Sequence, residues 1–553
     1  MRVLWFAAAA VVLFGCNKQK LAPEDGSDKP SLSMVTDGLW QDMGPVEVDG
    51  FTNAIESVTV NGASVPIEGE GFVAQVGVGR GVTLIEAIGT DALGDTYFAR
   101  QGVLAGEFQD PNTTIDDALT IRLNRSGLQA ATDLVGGLID PVAITAGVTA
   151  LNPIYQDTYG VFGWDAVTIQ ADLVDIGFDP LIISSDPRPG VLAVEVVIPN
   201  IEVLTNATGE VVAIDFDQDV YVGADNAIIS ADLTIGVVNG QLDIQLINPV
   251  VELDGFWYDV SLLPGDIESF ILVDTIRSTI EDMLVAKMDE MLPALLADTL
   301  GGLDISFDLE LLGTQISISA DFADASIDVQ GVQLTTDIAV TVPPAIDKPW
   351  VGYLGAPAAP AAPPMLDDIG LSVSDNLLNN TFFQVWRGGM LTLDLDSERG
   401  ELEPVLLAQL GATNAARVQV DANLPPVLID RDGKAQVQLT ELDVRIDTPG
   451  GDNGEYIDLS VTAFIELELS IVDGNLTLQL GTPDLILDVR DSDWGASNNS
   501  ITNLLADQLP IGALLLLLGD IEFPLPSLAG ISVSSGDAWR ESSGVYTTVA
   551  IDL

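Results

Sequence analysis

Apolar positions recur along this chain in two rhythms. In many short runs, such as residues 228–235 and 242–246, apolar side chains alternate with acidic or small ones. Over residues 267–299 they instead recur every three or four positions. The first rhythm is typical of strands whose one face is buried, and the second of a helix with one apolar stripe. The chain is therefore predicted to be an α+β protein in which a few helices pack against antiparallel sheets.

Residues 31–107 contain only the strand rhythm. Short β-rich runs at 57–60 and 82–87 are separated by turn-forming pairs such as Asn61-Gly62. This pattern predicts a small β-sandwich. The segments 55–62, 81–87 and 90–95 resemble bacterial immunoglobulin-like domains. That resemblance implies a spacer or contact module rather than a catalytic one.

Residues 110–342 combine both rhythms. A strand is predicted at 121–124, and Ser126 is predicted to cap a helix that carries Leu128, Leu134 and Leu138 on one face. A series of strands follows, and then the long helix over 267–299, which Pro293 is expected to kink. Core packing is the simplest interpretation of both apolar stripes.

Residues 343–364 are rich in Pro and Ala and are predicted to form an extended, stiff connector. After it, in residues 365–553, the order of elements repeats. A helix is predicted over 374–387, ended by Gly388-Gly389, and is followed by strands, a second helix from about Ser500 and closing strands. The order helix, strands, helix, strands thus occurs twice, which favours a structural duplication.

Charge and composition limit the classes of function that we expect for this chain. The chain has 83 acidic and 20 basic residues and a net charge of −63, so nucleic acid is not an expected partner. It has no histidine, which removes the commonest general base and metal ligand. Neither a Gly-x-Ser-x-Gly elbow nor a Walker phosphate loop is present. We therefore expect no enzyme activity and no cofactor, and we interpret the acidity as a solvated surface.

Closely spaced carboxylates leave one weak metal hypothesis. Asp430 and Asp432 precede a glycine, as in some calcium loops, but no glutamate follows at the spacing of a full loop. An ordinary turn is the preferred interpretation. In a second group, residues 215–219, strand alternation places all three carboxylates on the wet face.

The N-terminus predicts export. Arg2 precedes an apolar run over residues 3–14, which is too short to span a bilayer and typical of a signal peptide over residues 1–15. Residues 13–16 resemble a lipobox, although Phe14 is bulky, so Cys16 is the predicted lipid attachment site. Residues 16–30 would form the tether. Because Asn17 rather than Asp follows the cysteine, an outer membrane is favoured. The alternative is an ordinary signal peptide with an unmodified thiol.

From residue 110 onward the chain resembles the family of bactericidal/permeability-increasing protein, lipopolysaccharide-binding protein and cholesteryl ester transfer protein. The resemblance rests on ordered fragments: IRLNRSGL at 121–128, ISADL at 229–233, IEDMLVAKM at 280–288, LSVSDNLLN at 371–379, WRGGML at 386–391 and FPLP at 523–526. It implies two tandem tubular lipid-binding domains, 110–342 and 365–553, each a curved antiparallel sheet rolled round a long helix with an apolar tunnel between them.

The resemblance assigns lipid as the partner and the helix stripes as tunnel lining. The tunnel candidates are Leu128, Leu134, Leu138, Ile280, Leu284, Met288, Leu295, Leu378, Phe382, Trp386, Leu504 and Leu505. Two departures matter: the single cysteine cannot form the family's disulfide, and the basic tip that binds endotoxin phosphates is missing. A phospholipid or other apolar lipid without net negative charge is thus the expected cargo of a membrane-anchored binding or transfer protein. The alternative is a surface scaffold without cargo.

Overall fold

A computed structural model describes most of the chain. The described residues are 30–138, 152–153, 155–161, 164–211, 214–259, 269–301, 306–311, 314–365, 367–400, 415–450, 455–472, 475–493, 522–524 and 536–551. The predictions for the signal peptide, Cys16 and the tether up to residue 29 lie outside them, as do the helix predicted from Ser500 and its residues Leu504 and Leu505.

Nine strands form the N-terminal part. They are β1 Ser31–Thr36, β2 Trp40–Gln41, β3 Gly44–Asn53, β4 Ser57–Val60, β5 Ala63–Val65, β6 Gly71–Val78, β7 Gly81–Thr90, β8 Thr96–Ala105 and β9 Phe108–Gln109. Two sheets, β1-β3-β6 and β2-β8-β7-β4-β5, enclose an apolar core that includes Val48, Ile85 and Val103. Asn61 and Gly62 have positive φ angles of 47° and 79°, as the tight β4–β5 hairpin requires.

The middle of the chain forms a long curled sheet with two helices. Its elements are β10 Ile115–Asn124, α1 Arg125–Leu138, β11 Tyr155–Val161, β12 Trp164–Gly177, β13 Ile182–Arg188, β14 Val191–Val211, β15 Ile214–Val238, β16 Gln241–Asp254, β17 Trp257–Asp259, α2 Ser269–Gly301, β18 Phe307–Leu311, β19 Thr314–Ile327 and β20 Gly331–Thr341. The order β11-β12-β14-β15-β16 makes a half-barrel sheet, with β13 paired to β14 and β17 to β15. The long helix is confirmed. The cap prediction is wrong, because α1 already begins at Arg125 and Ser126 lies inside it.

The last part repeats a helix followed by strands. Its elements are β21 Tyr353–Leu354, β22 Ile369–Ser374, α3 Asp375–Arg387, β23 Thr392–Asp396, a 3₁₀ turn Ser397–Arg399, β24 Arg417–Ala422, β25 Val427–Arg431, β26 Lys434–Asp447, β27 Tyr456–Val472, β28 Asn475–Leu480, β29 Asp484–Ser492, β30 Glu522–Pro524, β31 Gly536–Arg540 and β32 Tyr546–Ile551. The predicted bounds of α3 are confirmed. The Ser374 hydroxyl accepts the Leu377 N–H at 3.2 Å, and Gly388 caps the other end.

Strands from both sides of the Pro/Ala-rich segment share one sheet, in the order β18-β19-β20-β10-β22-β32-β31. Its centre is β10, where Ile121 lies opposite Leu334 of β20 and Leu371 of β22. The Pro/Ala-rich segment is itself attached, since β21 within it pairs with β9 and the Tyr353 hydroxyl donates to Gln109 Oε1 at 2.5 Å. The two halves are therefore joined by a common sheet, which a connector alone would not provide.

The N-terminal sandwich packs on the last part of the chain. Gly102 N–H on β8 donates to Glu441 Oε1 at 2.8 Å, and Val82 N–H on β7 donates to Gln438 Oε1 at 2.7 Å. A Cβ at Gly102 would lie 1.8 Å from the Thr440 hydroxyl, so only glycine allows this close approach. The sandwich is thus docked by specific contacts on its β7 and β8 face.

Candidate functional site

A row of buried side chains four residues apart runs along α2, with Met283 buried beside it. Its members are Ile280, Leu284, Met288, Leu292, Leu296 and Leu300, each at most 6% exposed. Neighbouring members lie about one turn apart, but each step of four residues rotates by about 40° round the helix, so the six side chains follow a band that winds round α2. They belong to the apolar core that includes β14, β15 and β16, and Leu295 lies half-buried beside them. Asp282 and Asp289 are exposed on the other face.

The helix α1 meets the same core. Leu128, Ala131 and Val135 are buried there, and the helix packs beside β13 and α2. The Gln129 amide donates to the Ile183 carbonyl at 3.0 Å, which fixes the helix on the sheet edge. Leu128 therefore belongs to the same cluster as Ile280, Leu284 and Met288, and none of the four lines the cleft described below. Leu134 and Leu138 lie in α1, but their side chains are outside the described part of the structure.

The three tunnel candidates on α3 are buried in the apolar core. Leu378, Phe382 and Trp386 on α3 are each 1% exposed. Trp386 donates from its indole N–H to the Ala422 carbonyl at 2.7 Å, and its ring lies 5.5 Å from that of Phe383. These contacts position α3 as a packed structural helix, and none of the three side chains lines the clefts described below.

A cleft of about 570 Å³ opens at the C-terminal end of α2. Its lining residues are Gly240, Gln241, Leu242, Ala297, Asp298, Gly301, Ala320, Asp321, Phe322 and Thr336. They come from the last turn of α2, the β15–β16 turn and the adjoining strands β19 and β20. Leu242, Ala297 and Phe322 also pack against the apolar core, so one wall of the cleft continues into it.

A tight hairpin forms part of the lining of this cleft. Asn239 and Gly240, between β15 and β16, have φ angles of 52° and 79°. Two consecutive positive φ angles give the turn type that two-residue hairpins favour. The Gly240 carbonyl accepts the Phe322 N–H at 2.9 Å, which ties the hairpin to β19. A Cβ at Gly240 would lie 2.9 Å from Asp321 Oδ1, so glycine is required here. The Asn-Gly pair in the sequence signalled the turn but not its contact with β19.

The mouth of the cleft is negatively charged. Asp298 and Asp321 both line it, and the lining described above contains no Lys or Arg. Asp321 lies opposite Asp337 in the β19–β20 register. Burial raises the pKa of Asp337, and neighbouring carboxylates, Asp321 among them, raise it further although a bond from the Asp117 N–H opposes them. This edge of the sheet is thus a region of negative potential.

Asp430 and Asp432, the candidate calcium ligands, have other surroundings than a calcium loop would give them. Asp430 accepts from the guanidinium of Arg540 at 3.3 Å and from the Gly433 N–H at 3.3 Å. The Asp432 side chain is 97% exposed. Within the described ranges no group of three or more acidic or thiol side chains is arranged to hold a metal ion. The geometry fits an Asp-Gly turn closed by an ion pair.

Two buried charge clusters lie away from the cleft. Arg540 binds both oxygens of Asp375 at 2.5 Å, and neither side chain is more than 4% exposed. The second cluster lies where the N-terminal sandwich is docked. There the backbone N–H of Arg100 donates to Asp488 Oδ2 at 3.4 Å. Burial raises the pKa of Asp488 to about 6, against the opposing charge of Arg100. A cavity of about 760 Å³ lies at this junction.

Comparison with known proteins gives only distant likenesses. No family model matches the chain, and no curated protein matches it. Among solved structures, lipopolysaccharide binding protein is similar with 12% identity and a TM-score of 0.42, over 79% of this chain and 99% of that one. P47 of Clostridium botulinum E1 is similar with 9% identity and a TM-score of 0.25, over 80% of this chain and 100% of that one. At these values neither likeness determines what the chain binds.

Proposed function

We propose that this chain binds a lipid, with the apolar tail in the cleft at the C-terminal end of α2 and the polar group at its mouth. The observation that carries the proposal is the cleft itself. Its volume of about 570 Å³ lies within the range of about 300 to 1,000 Å³ typical of small-molecule sites. Its apolar wall, formed by Leu242, Ala297 and Phe322, leads toward the core beneath α2.

Tail burial supplies the affinity. Each methylene removed from water contributes about 0.8 kcal/mol, so a tail of about 16 carbons could gain on the order of 10 kcal/mol before entropic costs. Full burial of such a tail needs more than the cleft mouth. Leu300 and Leu296, next to the cleft on α2, are at most 4% exposed, so a tail entering beside Gly301 would have to displace such side chains to go deeper.

The proposal includes a location. An acyl chain on Cys16 would hold the protein at a bacterial membrane, which we propose is the outer membrane, and the docked sandwich would separate the cleft from that anchor. Labelling cells with a radioactive fatty acid tests this placement. Label is expected on the wild-type chain and not on Cys16→Ser, and equal labelling of both would refute it. No helix in the described ranges is long and apolar enough to cross a membrane.

Filling the cleft tests the binding site. Ala297 lines it, whereas Ala286 is exposed on the same helix. We expect Ala297→Trp to weaken uptake of a fluorescent, uncharged 16-carbon lipid by at least about tenfold, or 1.4 kcal/mol. Ala286→Trp, which carries the same helix-propensity cost, should bind like wild type. Circular dichroism and urea midpoints check that both variants fold.

The outcomes separate the two functions. Selective loss in Ala297→Trp supports lipid binding at the cleft. Equal uptake by the two variants would place the lipid elsewhere, and no uptake by the wild-type chain would favour the alternative of a surface scaffold without cargo.

A further inference from the structure

The polar surroundings of the cleft bear on which lipid it accepts, an inference that rests on the proposed function. Asp298 lies in the last turn of α2, and Asp321 lies on β19 beside the hairpin at Gly240. In the part of the chain that the structure describes, neither carboxylate pairs with a Lys or Arg. Because both line the cleft, each carboxylate lies beside whatever occupies the mouth.

The end of α2 adds to this potential. A helix C-terminus carries a partial negative charge from its unpaired carbonyl groups, and basic residues commonly offset it. The last turn of α2 contains no basic residue, and its final residue, Gly301, lines the cleft. The potential of the helix end and the two carboxylates thus has the same sign at the same place.

The negative charge along this edge also affects the titration of a neighbouring carboxyl group, that of Asp337. Burial is the main cause of the raised pKa of Asp337, which lies across from Asp321. The charges of Asp116, Asp117 and Asp321 raise it further, and the hydrogen bond from the Asp117 N–H opposes the rise. Besides burial, the carboxylates along this edge thus oppose the ionisation of a further acidic group beside them. A lipid phosphate or carboxylate brought to the mouth would meet the same opposition.

We propose that the cleft selects lipids whose polar group donates hydrogen bonds and carries no net negative charge, with an amine preferred to a hydroxyl and anionic groups disfavoured. An ammonium group can donate up to three hydrogen bonds and would be attracted by Asp298 and Asp321. A hydroxyl can donate one without the charge attraction. A carboxylate or phosphate offers only acceptors and like charge.

Three ligands with one tail isolate the effect of the polar group. Hexadecylamine, hexadecanol and hexadecanoate are titrated at pH 7.5, each below its aggregation limit, as competitors of an uncharged fluorescent lipid on the full chain. The tails contribute equally, so differences in affinity among the three ligands measure how the mouth of the cleft interacts with each polar group. We expect the amine to bind on the order of tenfold more tightly than the alcohol, and the carboxylate on the order of tenfold more weakly.

Charge-removing variants assign the effect to the cleft. Asp298→Asn and Asp321→Asn should each reduce the preference for the amine over the carboxylate by about threefold to tenfold, with binding of the alcohol unchanged. Asp289→Asn is the matched control, because Asp289 is exposed on the same helix and does not line the cleft. The alcohol also reports folding, since a variant that retains its binding has an intact cleft.

The results separate this inference from the function on which it rests. Equal binding of all three ligands, tightest binding of hexadecanoate, or unchanged selectivity in both cleft variants would overturn the inference and leave lipid binding in place. If none of the three displaces the fluorescent lipid from the wild-type chain, the proposed function and the inference both fail.

Discussion

Asp488 gives a quantitative test of how the N-terminal sandwich is docked. Its carboxylate on β29 is held against Arg100 of β8, with Arg490 on its own strand and Glu441 on β26 close by. Burial raises its pKa from 3.8 to about 6. This shift of about 2 units corresponds to about 3 kcal/mol, since one unit is 1.36 kcal/mol. The docked state therefore favours the protonated carboxyl.

The sign of the pH dependence follows from the direction of that shift. A raised pKa stabilises the docked state fully below pH 4, and the contribution is lost as pH rises through about 6. At pH 7 the ionised, buried carboxylate opposes docking. Asp488→Asn removes the ionisation while keeping the shape, so it should strengthen the junction at pH 7 and have little effect at pH 4.

Hydrogen exchange measured peptide by peptide reports the stability of this junction. At pH 7, peptides of β8 and β29 should exchange up to about 100-fold more slowly in Asp488→Asn than in the wild-type chain, the equivalent of about 3 kcal/mol. At pH 4 the ratio should approach one. Asp484→Asn, an exposed carboxylate on the same strand, is the control and should leave the ratio near one throughout. A ratio independent of pH, or slower exchange in the wild type at pH 7, would refute the reasoning.

Two further substitutions test the packing. Arg540→Ala leaves the carboxylate of Asp375 buried without its partner, so the free energy of unfolding in urea titrations should fall by about 3 to 5 kcal/mol. The double variant Arg540→Ala with Asp375→Asn should recover part of this loss of stability. No recovery in the double variant would contradict a charge effect. Leu284→Ala should cost about 2 to 5 kcal/mol of stability by the same assay, because Leu284 is buried in the row beneath α2. A cost below about 1 kcal/mol would show that this position is not packed.

Local signals in the sequence predicted the elements well. The serine at 374 and the glycines at 388 and 389 determine the bounds of α3 through short-range hydrogen bonds, and the structure has the helix at Asp375–Arg387. The recurrence of apolar residues every three or four positions likewise predicted the long helix over 267–299, and Ile280, Leu284 and Met288 of that stripe are buried. The start of α1 was placed too late, because β10 runs directly into the helix at Arg125 without a separate cap.

Contacts between distant segments could not be read from the sequence. The pairing of β10 with β22 joins residues such as Ile121 and Leu371, and the local sequence of neither strand shows which strand it will pair with. The cleft is similar, since the hairpin at Gly240, the end of α2 and Phe322 meet only in the folded chain. The tunnel lining that the resemblance implied stays a prediction, because periodicity cannot distinguish a packed face from one beside a cavity. The candidates Met288, Phe382 and Trp386 are each 1% exposed.

Native mass spectrometry of the purified full chain tests the central claim most directly. We predict additional masses corresponding to noncovalently bound lipid, which disappear on organic extraction, are retained in Ala286→Trp and are strongly reduced in Ala297→Trp. A wild-type chain that carries no lipid and takes none up when mixed with lipid vesicles would contradict the account.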